Sequence, residues 1–373
     1  METFKMGEFF SGPGGMALGA HQAVERDPEL RDRMSLQHAW AVDIDESSCL
    51  TYRRNIPGAT LKSVKVGDAR AAAEDIDSFG DIDGFAFGFP CNDFSLVGEH
   101  KGLEGDFGGL YKTGVRVLEA KRPKWFVAEN VGGIRSANGG RAFQVILEEL
   151  KDAGYRITPH LYRFEQYGVP QARHRVLVVG VRDDLDVEYA VPAPTHGPGT
   201  RQPFATSGEA VAAPIPASVT NNERTRQSKQ VVERLKLIDP GENAFNAKRM
   251  TEEARLNVRG ATISQIYRRL DPAKPSYTVT GSGGGGTHVY HWDEPRALTN
   301  RERARLQTFP DTFHFEGRRD SIRKQVGMAV PPRGAAAVFG ALFRTLLGID
   351  YESIPASLTG GSGARGVVPI PGL

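Results

Sequence analysis

Three observations predict an α/β fold with a mainly parallel sheet and a second, smaller domain. Short apolar runs alternate with helical patterns through the first half of the chain. Several of these runs end in Gly, Asp or Glu, as the carboxyl ends of buried strands do. Beyond about residue 190 the composition turns to proline, glycine and charge, which suits a loop-rich unit.

The expected strand tips are Met6–Phe10, Ala39–Val42, Ile82–Phe87, Trp125–Ala128 and Val176–Val181. Between the last two, Phe143, Ile146, Leu147 and Leu150 recur at helical spacing, with Gly139-Gly140 before them and Gly154 after. Val191–Thr220 holds six prolines and reads as a linker or extended loop. Asn221–Arg269 follows with 11 Lys/Arg against 6 Asp/Glu, a segment that can meet a phosphate backbone or simply form a solvated surface. The run Gly281-Ser282-Gly283-Gly284-Gly285-Gly286 is poor helix and poor core. Leu298–Leu306 turns helical again, Pro332–Leu347 is an Ala-rich helix, and Ser357–Leu373 is Gly/Pro-rich and expected to be disordered. The expected domains are 1–190, 191–318, a returning helix in 319–350 and a tail from 351 to 373.

Composition bounds the function. The chain has 373 residues, 39% hydrophobic and 25% charged, enough for one large domain or two, and too apolar for a disordered chain. No run approaches the ~18 apolar residues of a membrane span, and the start Met1-Glu2-Thr3-Phe4-Lys5 has no apolar signal core. The two cysteines, Cys49 and Cys91, form no C-x-x-C pair, so neither a disulfide framework nor a cysteine metal site is expected. A net charge of +2 does not by itself announce a nucleic acid.

Four places can carry chemistry. Phe10-Ser11-Gly12-Pro13-Gly14-Gly15-Met16-Ala17 takes a strand through a glycine turn into a helix. Asp43 ends the next strand and can accept from ribose hydroxyls. Asp68 ends the following one and can accept from an adenine amine. That set fits an adenosyl cofactor, an NAD-type fingerprint or a structural turn. Pro90-Cys91-Asn92 places a cysteine in a proline-set turn after a strand, where it is a nucleophile or a packing residue. Trp125-Phe126-Val127-Ala128-Glu129-Asn130 delivers a carboxylate to a buried strand end, for catalysis or to order the next loop. Gln171-Ala172-Arg173-His174-Arg175 puts two guanidinium groups on one side of a strand start, with His174 turned away. They can clamp a carboxylate, a phosphate or a carbonyl, or be structural.

Together, in this order, the four blocks resemble the DNA (cytosine-5) methyltransferases of the bacterial restriction–modification type. Phe10–Gly15 is similar to that family's FxGxGG loop, Pro90-Cys91 to PCQ, Glu129-Asn130-Val131 to ENV, and Gln171–Arg175 to QxRxR. The blocks Arg296–Pro310 and Gln325–Pro332 resemble the two that close the family pattern, so the likeness runs from about Met6 to Leu347. It implies a Rossmann-like S-adenosylmethionine-dependent methyltransferase fold with a smaller target-recognition domain. The implied activity is methyl transfer from S-adenosyl-L-methionine to C5 of cytosine in a specific double-stranded DNA sequence, by base flipping and covalent addition of Cys91 at C6.

The resemblance gives each residue an expected role. Cys91, Glu129, Arg173 and Arg175 are catalytic. Phe10, Gly12, Pro13, Gly14, Gly15, Asp43, Ile44, Asp68, Ala69, Pro90, Leu110, Met328, Ala329 and Val330 line the cofactor. Asn92, Ser95, Lys101, Asn130, Thr278 and Thr280 face the substrate or DNA, and the loop Ser95–Tyr111 closes on it. Arg301 and Glu302 brace the recognition region. The implied setting is a cytoplasmic, nucleoid-associated monomer of a prokaryote, off the membrane, working with double-stranded DNA alongside a cognate restriction endonuclease. Two residues depart from the pattern: Asn92 stands where Gln is usual, and Met328 where Asn is common, and a thioether cannot replace an amide's hydrogen bonds. Met328 motivates an alternative, a catalytically weak DNA-binding regulator of the same fold. An RNA-directed cytosine-5 methyltransferase is another.

Overall fold

The computed structural model describes residues 1–89, 109–135, 140–256, 263–283 and 286–358. Strand β1 (Glu2–Phe9) passes through the glycine turn into α1 (Gly15–Arg26). Helix α2 (Pro28–Arg33) starts at Asp27, whose carboxylate accepts from the Glu29 and Leu30 amides. Next come β2 (Met34–Asp43), α3 (Glu46–Asn55), β3 (Val64–Val66), α4 (Ala69–Glu74) and β4 (Gly84–Phe87). Then α5 (Tyr111–Lys121), β5 (Trp125–Val131), α6 (Arg141–Asp152), β6 (Tyr155–Arg163), β7 (Gln171–Ala172) and β8 (His174–Arg182) complete the first half.

Seven strands form one sheet in the order β3-β2-β1-β4-β5-β8-β6. The first five are parallel, while β8 runs antiparallel to both β5 and β6. All five expected strands are present, with β1 and β2 longer than their tips suggested. Strand β6 was not anticipated: Tyr-Arg-Ile-Thr-Pro-His-Leu-Tyr-Arg mixes polar residues with a proline, which only an edge position tolerates.

Alternation along the strands divides the core in two. On β5, Trp125 and Val127 join the core shared with α1, while Phe126 and Ala128 join the one shared with α5 and α6. On α6 the expected residues Phe143, Ile146, Leu147 and Leu150 are all buried.

In the second half, β9 (Val191–Pro192) and α7 (Ser207–Ala212) occupy the stretch read as linker. Of the two readings the linker is corrected, since Val191 and Val211 are buried in the main core and Thr206 with Glu209 forms a capping box on α7, while most of the remaining stretch is loop. Helix α8 (Lys229–Lys236) follows, then β10 (Ser276–Tyr277), which pairs with β7. A small separate core gathers Leu235, Ile238, Ala244, Ile266, Tyr267, Tyr290 and Ala297. Helix α9 (Asn300–Leu306), the ring trio Phe309, Phe313 and Phe315, and α10 (Arg319–Met328) belong instead to the core of α1. Buried Arg301 donates to the Thr220, Pro310 and Phe313 carbonyls, and Glu302 pairs with Arg296.

Helix α11 (Pro332–Leu346) packs on α1, and β11 (Ser353–Ile354) pairs antiparallel with β9. The span Arg319–Leu346 is long and apolar enough to cross a membrane, but it is broken between α10 and α11, and 72% of its most apolar window is buried in the fold.

Candidate functional site

The carboxyl ends of β1, β2, β3, β4 and β5 lie side by side, with Phe9 paired to Val42 and to Phe87, and Phe87 to Ala128. The strand order reverses between β1 and β4, which is where open α/β sheets form a crevice.

The glycine turn lies on one side of that crevice. Gly14 adopts φ 96°, a backbone that favours glycine, and its amide donates to the Ser11 carbonyl at 3.0 Å. A Cβ on Gly15 would come within 2.3 Å of the Val330 carbonyl, so the turn and the segment after α10 touch through backbone alone. Asp43 braces this turn: one carboxylate oxygen accepts from the Gly12 amide at 2.7 Å, the other from the Asp45 amide at 2.9 Å. Burial pushes its carboxyl up, opposed by those amides and by Lys324 nearby. A carboxylate has about four lone-pair sites, so capacity for a hydroxyl remains. Asp68 caps α4 through the Arg70 amide at 2.8 Å and pairs with the Arg70 side chain.

An adenosyl group needs apolar faces for its base, a carboxylate for its ribose and open backbone for its tail, and the crevice offers all three. Ile44 and Met328 are 75% and 65% exposed, unusual for large apolar side chains. Phe10 is half-buried. A Cβ on Gly12 would meet nothing within 4 Å, and the buried Ser11 hydroxyl has no partner among the described residues. Ala69, Ala329 and Val330 are buried at the rim, while Leu110 belongs to the core beside Phe89 and Tyr111.

Glu129 stands on β5 at the far side. Antiparallel pairing sets Val131 opposite Arg175, so Arg175 and Glu129 are diagonal neighbours on one face. Their side chains meet at 3.0 Å, Nε to Oε1, both largely buried. Burial raises the Glu129 carboxyl above its usual range, while Arg175 and then Arg173 pull it back. Gly88 leaves room for this carboxylate, since a Cβ there would lie 3.2 Å from its Oε2.

Asn130 faces the opposite way, as the next residue on a strand must. Its Nδ2 donates to the Phe89 carbonyl at 3.1 Å, directly ahead of Pro90-Cys91. It is 4% exposed, so its expected place against DNA is corrected to a brace for that turn. Pro90, Cys91, Asn92, Ser95 and Lys101 lie outside the described residues, as does the loop from Ser95 to Gly108.

Arg173 and Arg175 do lie on one side, with His174 exposed and paired to Glu165. Arg173 is 1% exposed and donates to the carbonyls of Val279 at 3.1 Å and Met328 at 3.4 Å, with its Nε buried and without a partner among the described residues. It joins the segment after β10 to the end of α10. Thr278 likewise spends its hydroxyl on the Ala172 carbonyl at 2.8 Å, whereas exposed Thr280 pairs with Ser282.

Two residues of the quoted blocks, given no individual role from the sequence, tie these segments together. Gln171 accepts from the Val279 amide and donates to Gln307, and Gln307 donates to the Val326 and Ala329 carbonyls. Both are fully buried. The available signal was an amide in each of two blocks, Gln171-Ala-Arg and Leu306-Gln307-Thr.

Comparison with known proteins gives these residues a context. A family model described as C-5 cytosine-specific DNA methylase matches residues 4–344. The type II methyltransferase M.BbvI of Brevibacillus brevis is 55% identical over 358 residues, 94% of this chain and 94% of that protein. The type II methyltransferase M.NgoFVII of Neisseria gonorrhoeae is 39% identical, over 94% of this chain and 89% of that protein. A crystal structure of a putative DNA modification methyltransferase encoded within an E. coli prophage has the same fold, with a TM-score of 0.68 at 22% identity, covering 92% of this chain and 99% of that one.

Proposed function

The chain belongs to the C-5 cytosine-specific DNA methylases and is a DNA (cytosine-5-)-methyltransferase; on that footing we propose how its residues carry the reaction. Family and fold imply the use of S-adenosylmethionine. Phe10, Ile44 and Met328 would offer apolar surface to the adenosyl part, Asp43 the ribose contact, and Gly12, Gly14 and Gly15 the backbone cradle. Bound there, the sulfonium supplies an electrophilic methyl group.

The substrate is cytosine in a specific double-stranded sequence, swung out of the helix because C5 and C6 are unreachable in the stack. Cytosine C5 is a weak nucleophile. Cys91 Sγ adds to C6, forming an S–C bond and pushing electron density to C5. Glu129 holds a proton at N3 while that charge develops, which a carboxyl raised by burial is suited to do. Arg175 neutralises charge at the O2 carbonyl and fixes the Glu129 oxygen. Arg173 acts behind it as a positioning residue. Once C5 bears the methyl group, loss of the C5 proton to a base expels the thiolate and restores the ring. The protein works as a cytoplasmic monomer at the nucleoid, protecting sites that a cognate restriction endonuclease would cut.

The observation that carries this reading is the buried Glu129–Arg175 pair on the β5–β8 rim, with Asn130 holding the backbone ahead of Cys91. The test is Cys91→Ala with duplex DNA: transfer is abolished while DNA binding survives. Duplex carrying 5-fluorocytosine gives an SDS-stable adduct with the unaltered enzyme when the methyl donor is present, because after methyl transfer the fluorine at C5 blocks elimination. Undiminished transfer by Cys91→Ala would overturn the mechanism. Radiolabel entering tRNA rather than duplex DNA would favour the RNA-directed alternative.

A further inference from the structure

A cluster of cations lies beside the strand end Thr278–Thr280, outside the residues given roles above. Arg303, on α9, is 1% exposed. Its Nη2 donates to the Thr280 carbonyl at 2.6 Å and lies 3.5 Å from the Ser282 carbonyl, but its Nε and Nη1 are buried without a partner among the described residues. Arg323, on α10, has a buried Nε in the same condition and, among the described residues, pairs with one carboxylate, Asp320, whose side chain is 82% exposed. Arg303 has no acidic partner among the described residues. Lys324, exposed, lays its stem on Gly281. His288 sits among them; burial first, then both arginines, push it down to about 4, so it adds no charge near neutrality.

Two neighbouring guanidinium groups, with one solvated carboxylate on Arg323, leave uncompensated positive charge in a poorly hydrated place. Buried donors without partners are rare and costly. What covers them is Gly281-Ser282-Gly283. A Cβ on Gly283 would sit 2.6 Å from the Arg323 Nε, so only a glycine lets the backbone lie this close to that guanidinium. An anion resting on this strip would feel both charges through little intervening dielectric.

We propose that Arg303, Arg323 and the Gly281–Gly283 backbone form a binding site for a phosphate of the DNA backbone flanking the target nucleotide. The position next to exposed Thr280 and the buried Arg173 bridge puts this site on the same rim as Glu129 and Arg175. It takes the phosphodiester without reading a base, so it contributes register and affinity rather than sequence choice. The proposal rests on DNA being the substrate, and binding by the unaltered enzyme in the same experiment checks that separately.

The experiment measures the Kd of the full-length protein for a duplex across a salt series, comparing the unaltered enzyme with Arg323→Met and Arg303→Met. Each neutralised phosphate adds roughly 0.9 to the slope of log K against log salt. The expected result is a slope smaller by about one unit in Arg323→Met, with weaker binding at low salt for every duplex tested. Arg303→Met also loosens the Thr280 carbonyl and weakens transfer as well, whereas Arg323→Met breaks no contact of that strand. An unchanged slope in Arg323→Met, at whatever affinity, would overturn the proposal. A duplex with a neutral methylphosphonate beside the target separates the remaining cases. It lowers the unaltered enzyme's affinity more than that of Arg323→Met if the site is real, and lowers both equally if the arginine serves only the fold.

Discussion

Arg175 Nε lies 3.0 Å from Glu129 Oε1 across the antiparallel junction of β5 and β8, the one place where this otherwise parallel sheet reverses next to the crevice. Because burial raises the Glu129 carboxyl and Arg175 lowers it, the pair sets how much proton Glu129 keeps near neutrality. Glu129→Gln retains shape but cannot pass a proton, and methyl transfer falls by about 10²–10⁴-fold with DNA affinity retained. Arg175→Met removes the opposing charge, so the Glu129 pKa rises further. Its residual rate, though low, therefore declines at higher pH than that of the unaltered enzyme. A pH–rate profile displaced downward would contradict this coupling.

Gln307 holds two carbonyls of the segment behind Met328 and receives the Gln171 amide, which in turn holds Val279. Gln307→Leu fits the volume but strands the Val326 acceptor and leaves the Gln171 amide only its longer bond to the Leu306 carbonyl. Stranding a buried polar group costs about 1–3 kcal/mol. Urea unfolding should show a loss of that size, and the weakened joint should raise the KM for DNA and for the methyl donor together. A variant as stable as the unaltered chain would show the amide chain to be dispensable.

The glycine turn permits a sharper test. A Cβ on Gly15 would meet the Val330 carbonyl at 2.3 Å, a backbone atom that no rotamer change can move. Gly15→Ala must push α1 and the Val330 segment apart, at about 1–3 kcal/mol of overpacking strain. Since both line the crevice, equilibrium dialysis should show methyl-donor affinity reduced at least tenfold while the far-UV CD spectrum is unchanged. Unaltered affinity would remove the turn from the binding site.

Much of the site was legible because chemistry and strand ends coincide in the chain. Glu129 follows four apolar residues, Asp43 ends a strand, and Arg173 and Arg175 alternate, so side-chain direction followed from the period of two. The parallel strands were legible for the same reason, since burial on both faces makes them continuously apolar. Strand β6 was not, because an edge strand can afford Arg156, Pro159 and His160. Partner choice was also hidden. Asp43 carries the motif of a ribose ligand, yet its distance to the Gly12 amide depends on how β1 and β2 are paired. Arg173 acts through a carbonyl 106 residues further along the chain and Gln307 through one 22 residues further, contacts that local spacing cannot show. The proline-rich stretch 191–220 misled because its burial comes from β11 and the main core, far off in sequence.

Beneath the glycine turn, Glu8 on β1 is fully buried, its Oε2 accepting from the Tyr52 hydroxyl at 3.1 Å and its Oε1 without a partner among the described residues. Burial, only partly offset by that hydrogen bond, lifts its pKa from 4.5 to about 8. In the unfolded chain the group titrates near its ordinary value, so between the two pKa values the folded state holds a proton that the unfolded state has released. Stability from this group is therefore complete below about pH 4.5 and is lost as pH rises toward 8. At roughly 1.4 kcal/mol per pKa unit the full loss is on the order of 3–5 kcal/mol. Glu8→Gln keeps an acceptor for Tyr52 and cannot ionise, so it should abolish this slope. Thermal or urea unfolding at pH 5 and pH 9 measures it. The variant should nearly match the unaltered protein at the lower pH and exceed it at the higher, with the gap opening between about pH 4.5 and 8. A gap that is constant with pH would mean Glu8 is not the titrating group beneath the turn.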